Sequence, residues 1–170
     1  NAGHYSVNLP LGAYTVQQQS AVLEDHCLVA PAPFTLNVGN ALQTLSVADT
    51  ALVPLDASVS LASGAARPGF QLALAARIAN NTLASTGAST LTVTFDPVLS
   101  FLSANPAPSN IVGNTLTWNV AAFSSFQERT VHVQLQIPPD ILLLGTDLLF
   151  NAAFATGNAD AVLANNSTSL

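Results

Sequence analysis

The chain has 170 residues, enough for one medium domain or for one domain and part of another. Only 7% are charged, and the net charge of −6 comes with no lysine and three arginines, Arg67, Arg77 and Arg129. That excludes lysine chemistry, from Schiff bases to P-loops, and argues against nucleic acid and anionic membranes as partners. Apolar residues make up 49%, yet no run nears the ~18 that would suggest a membrane helix, so no membrane insertion is expected.

The opening, Asn1 to Val7, reads as a turn leading into a strand and not as a signal peptide, as expected of a mature or excised piece of a longer chain. Tyr5, Val7 and Leu9 alternate with Ser6 and Asn8. After Pro10-Leu11-Gly12, Tyr14 and Val16 alternate with Thr15 and Gln17, which predicts a hairpin. Gln18 to Ala32 is a loop. Phe34, Leu36 and Val38 form a strand ended by Gly39-Asn40, and Leu42 to Val47 reads as one more. Three or four strands with one apolar face need a cover from elsewhere.

Asp49 to Pro54 reads as a junction, giving a partial β region over 1–50, a linker over 51–55 and a second domain over 56–170. Val59 and Leu61 precede the turn Ser63-Gly64. Phe70, Leu72, Leu74, Ala76 and Ile78 alternate with polar or small residues. The same period of two recurs at Leu91–Phe95, Leu99–Phe101, Leu116–Val120, Val131–Ile137 and Leu148–Phe154. Trp118, the only tryptophan, falls on the apolar side of its strand and is the expected core anchor. Seven strands at this spacing and no credible helix predict an all-β, Ig-like sandwich preceded by an incomplete β-sandwich piece.

Several runs carry a family likeness. Gly113-Asn114-Thr115-Leu116-Thr117-Trp118, Leu99 to Pro108, Ile137-Pro138 with Gly145-Thr146, and Asp160 with Ala164-Asn165-Asn166 resemble motifs of the Ig-like conserved repeat of bacterial surface proteins. The likeness spans about residues 56 to 170 and departs at Asn81-Thr82, where the family prefers Gly-Thr. Gly3-His4-Tyr5 through Tyr14-Thr15-Val16 resembles the closing strands of a collagen-adhesin B-type domain. The combination resembles large surface proteins exported by type IX secretion. It implies an extracellular or cell-surface location, a structural or adhesive role, and no catalytic residues.

Glu24-Asp25-His26-Cys27 is the one dense cluster of ligand-type residues, with His4 as a conceivable companion. Zinc needs three or four converging ligands, so an ordinary loop is expected here and no metal or cofactor is assigned. Cys27, the single cysteine, suits either a small buried hydrophobe or an intermolecular bond. Asp140, Asp147 and Asp160 are placed near one end of the sandwich. Calcium there would need six or more oxygens, so strand-end and turn roles are expected. His132 lies on the polar side of its strand, and no nucleophile motif accompanies it. Asp49-Thr50-Ala51 fits the acceptor pattern for O-glycans that the family likeness brings with it, which makes Thr50 a candidate glycosylation site. Asn80-Asn81-Thr82 and Asn165-Asn166-Ser167-Thr168 fit N-glycan acceptors and are expected to be idle.

These features predict a non-catalytic structural module whose partners are copies of itself or neighbouring domains, joined by strand complementation. The alternative is an accessory module that binds carbohydrate or another surface. Exposed aromatic residues would favour it, and here Trp118, Tyr5 and Tyr14 all sit in apolar alternation.

Overall fold

The computed structural model describes residues 6–16, 32–44 and 53–170. The chain divides into two compact units, 1–52 and 53–170. Among the described residues strands dominate, all pairing is antiparallel, and no helix is long and apolar enough to cross a membrane.

In the first unit, β1 (Gly12–Val16) pairs with β2 (Ala32–Leu36) as a two-stranded sheet. The expected hairpin of residues 5–9 with 14–16 does not form over residues 6–9, and Tyr5 lies outside the described residues. Residues 6–10 carry no strand, Val7 is 75% exposed, and Gly12, expected in a turn, opens β1. Side-chain contacts explain the change. Pairing with β2 sets Tyr14 opposite Phe34, with the rings stacked at 5.7 Å between centroids. The Tyr14 hydroxyl donates to the Pro10 carbonyl at 2.7 Å, so the preceding segment is held by a side chain instead of a ladder. At the far end of β2, Asn37 Oδ1 accepts from the N–H groups of Gly39 and Asn40, both at 2.9 Å, and closes a turn. No strand follows over residues 41–44.

The second unit is a sandwich. One sheet has the order β3 (Ala57–Ser63), β4 (Gln71–Asn80), β9 (Glu128–Gln136), β6 (Ser100–Asn105). The other runs β11 (Ser167–Ser169), β10 (Asn151–Ala155), β5 (Ser89–Thr94), β8 (Thr115–Val120), β7 (Asn110–Val112). Taking β3, β4, β5, β6, β9, β10 and β11 as A to G reproduces the immunoglobulin arrangement of an ABED sheet facing G, F and C. The β7–β8 hairpin is added beside β5. Its two-residue turn, Gly113-Asn114, has φ +58° at Gly113, the position where a type II′ turn calls for glycine.

Seven strands were expected in this unit and nine form. The two extra ones, β7 and β11, are three residues each and show no apolar alternation. The core is built by the alternation that the other strands do show. Leu72, Leu74, Ala76 and Ile78 of β4 and Val131, Val133 and Leu135 of β9 meet Leu91 and Val93 of β5, Leu116 and Trp118 of β8, and Ala152 and Phe154 of β10. Phe70 departs from the pattern. It lies in the turn before β4, is 64% exposed, and burial along that strand begins at Leu72.

Trp118 is 3% exposed, and its indole N–H donates to the Pro106 carbonyl at 2.9 Å. The ring supplies core volume while its one polar atom stays satisfied, as a buried indole requires. Its acceptor lies in the segment between β6 and β7, so the same contact holds that connection against the core.

Candidate functional site

The densest polar constellation among the described residues lies at the end of the sandwich where β3 begins. Asp56 and Asp160 organise it. Asp160 Oδ2 accepts from Ala57 N–H at 2.9 Å and from Asn166 Nδ2 at 3.0 Å, while its Oδ1 accepts from Val162 N–H at 2.8 Å. Asp56 Oδ1 accepts from Asn165 Nδ2 at 2.8 Å and its Oδ2 from Asn81 Nδ2 at 3.1 Å. The backbone carbonyl of Asp56 accepts from Asn81 N–H at 2.8 Å. The first strand of the sandwich is thereby tied to the β4–β5 loop and to the last loop of the chain.

Asn80 performs the same task deeper in. It is 2% exposed, and its Nδ2 donates to the carbonyls of Ala84 and Ser124. Its Oδ1 accepts from the N–H and hydroxyl of Thr82. Thr86, also buried, accepts from Phe123 N–H at 2.9 Å and donates to the Gly87 carbonyl at 3.0 Å. An uncharged amide can both donate and accept without the cost of burying a charge, which suits it to pinning loops whose backbone groups lack ladder partners.

This arrangement shapes what the site can do. All four carboxylate oxygens of Asp56 and Asp160 face N–H donors, which is the wrong polarity for a cation. No group of three or more histidine, cysteine, aspartate or glutamate side chains that could hold a metal occurs among the described residues. The expected neighbourhood of Asp140, Asp147 and Asp160 does not form. Asp160 joins Ala57 where β3 meets Asn80, whereas Asp140 and Asp147 lie in the loop after Ile137, which meets the start of β4. The length of β4 separates them, nine steps or roughly 30 Å. The reason is topological: β10 carries the chain from one end of the sandwich to the other between Asp147 and Asp160. Asp140 itself accepts from Leu142 N–H and caps a single 3-10 turn, Ile141–Leu143.

The remaining candidates are scattered. His132 is exposed on the outer face of the four-stranded sheet, opposite Ala75 and Asn105, with no serine or carboxylate hydrogen-bonded to it among the described residues. The acceptor asparagines Asn80, Asn165 and Asn166 all spend their amide N–H groups inside the molecule. His4, Glu24, Asp25, His26, Cys27 and Thr50 lie outside the described residues. A cavity of about 100 Å³ lies between the Ala66–Pro68 turn and the 143–148 loop at the opposite end from Asp160. Its walls are mostly aliphatic, Arg67 is the only ionisable group in them, and it is smaller than the ~300 Å³ at which ligand pockets begin.

The roles of Asp56 and Asn80 were not legible beforehand. The only signal was an Asn-Asn-Thr run after a strong strand in a chain poor in charge, and that pattern fits any exposed turn equally well. Fold and site together define an all-β sandwich whose organised polar side chains brace its loops. Compared with models of known families and with curated protein sequences, the chain matches none.

Proposed function

We propose that this chain is a non-catalytic structural module of a secreted bacterial surface protein or extracellular filament, held to copies of itself or to neighbouring domains by strand complementation. The observation that carries this reading is the two-stranded sheet β1–β2. Its apolar face, with Tyr14, Phe34 and Leu36, is only half-buried, and among the described residues the sheet has two strands, short of the three that stand alone in water. The sandwich supports the same reading, because its polar network is spent on bracing loops. Little of its surface is charged, so packing against a neighbour desolvates few ions.

Size-exclusion chromatography and electron microscopy of native material test the proposal. Concentration-dependent assembly into dimers or filaments is the expected result. A stable monomer at every concentration, with no ordered particle in the images, would count decisively against it.

A further inference from the structure

We infer that the end of the sandwich opposite Asp160 is a contact between two copies of this chain, related by a half-turn about the cleft between the Ala66–Pro68 turn and the 143–148 loop. This rests on the structural reading above and adds a contact in the second unit to the strand contact of the first. The start of β4, the end of β9 and the loop from β9 to β10 meet here. Ile137 N–H donates to the Phe70 carbonyl at 3.1 Å, and Leu149 N–H to Asp96 Oδ2 at 3.4 Å, so the loop is tied near both of its ends.

This end presents apolar side chains that the core does not use. Leu143 and Leu148 pack partly against the core. Phe70, Ile141, Leu142, Leu144 and Leu149 are all between 57 and 79% exposed. At roughly 180 Å² for a large apolar side chain left fully open, the five present on the order of 600 Å². Two such surfaces face to face bury about 1,200 Å², above the roughly 1,000 Å² that a specific interface must clear. The outward side chains are also held in place. Asp140 Oδ1 accepts from Leu142 N–H at 2.9 Å and the Ile141 carbonyl from Leu144 N–H at 3.1 Å, so little order has to be imposed on binding.

The distribution of charge selects a second copy as the occupant. One wall of the cleft carries Arg67, with Phe70 closing its turn; the other carries Asp147, with Asp140 shortly before it. Arg67 and Asp147 are exposed, and among the described residues neither side chain has a hydrogen bond or an ion pair. Within one copy they stand on opposite sides of the cleft. A half-turn about the cleft lays each wall on the opposite wall of the second copy. Arg67 then meets Asp147 of the second copy, twice, and Leu142 and Leu144 meet Pro68 and Phe70 of the second copy, twice. Laying like wall on like wall opposes arginine to arginine and acid to acid, which costs affinity. A partner of a single charge sign suits only one of the two walls. The contact is isologous and closes as a pair, so growth into a filament takes the strand contact as well.

Sedimentation of the full chain over a range of concentrations tests the contact. The parent should show a monomer–dimer equilibrium. Ile141→Ser with Leu142→Ser should be monomeric at concentrations where the parent pairs. Its thermal unfolding in dilute solution, where copies are apart, should match the parent. Arg67→Asp and Asp147→Arg should each raise Kd about tenfold, and the two together should bring it back near the parent value. If the serine variant does not fold, the charge exchange decides by itself. Dimers that persist in the folded serine variant, or a doubly exchanged chain that binds no tighter than either single exchange, overturn this contact while self-assembly through the first unit stands. A chain that is monomeric throughout overturns the contact and the self-assembly reading together.

Discussion

Single side chains here hold loops, and their loss should be felt in stability before anything else. Replacing Asp160 by Ala strands three donors, Ala57 N–H, Val162 N–H and Asn166 Nδ2, in a part-buried setting. Unfolding in urea should show a loss of about 2–4 kcal/mol, since donors to a carboxylate lose more than neutral pairs when the acceptor goes. Trp118→Phe leaves the Pro106 carbonyl without its donor and opens space in the core. The same measurement should give a loss of about 2–3 kcal/mol. Both stand out in the sequence, but only for the tryptophan does the sequence also show what it packs against. A lone indole in apolar alternation announces burial. An aspartate after a Gly-Asn-Ala run announces a turn, and the residue it clasps lies 103 positions away.

At the scale of elements, legibility followed the period-two pattern. β4, β5, β8 and β9 were readable because a strand covered on one face must alternate, and theirs is covered along most of its length. β7 and β11 were not, because at a sheet edge three polar or exposed residues can pair without burying anything. The contrast yields a prediction. Leu74→Ala, in the middle of β4, should cost about 2–5 kcal/mol. The double change Ile141→Ser with Leu142→Ser should stay within about 0.5 kcal/mol, although its side chains are as apolar, because Ile141 and Leu142 are 75% and 79% exposed between β9 and β10. Thermal unfolding of both variants beside the parent checks the difference.

For the whole molecule, charge distribution sets two expectations. The three arginines are the only sites for a protease that cuts after basic residues. Arg67 precedes Pro68, which such enzymes cut poorly, and Arg77 and Arg129 lie inside β4 and β9, where backbone bonds must open first. Prolonged trypsin treatment of the native chain should leave one intact band on a denaturing gel, and fragments should appear only when denaturant is added. The second expectation concerns cations. Because the carboxylate oxygens of Asp56 and Asp160 already accept from N–H groups, calcium and chelator should give the same melting temperature. A rise of several degrees with calcium would show that the amides can turn and yield those oxygens.

The sequence by itself determined the all-β class, the inward set of residues on the long strands and the poverty of reactive side chains. Each of these follows from local periodicity or composition. Tertiary structure alone decided which strands pair, that β1 meets β2 instead of the segment before it, and that Asp160 holds Ala57 at the start of β3 and lies far from Asp140 and Asp147. The physical reason is that a strand's own residues specify which face is buried but leave its edge partner open. Any strand with free N–H and C=O groups can satisfy that edge, and the choice falls to the side chains that come to rest against one another. At β1 those are Tyr14 and Phe34.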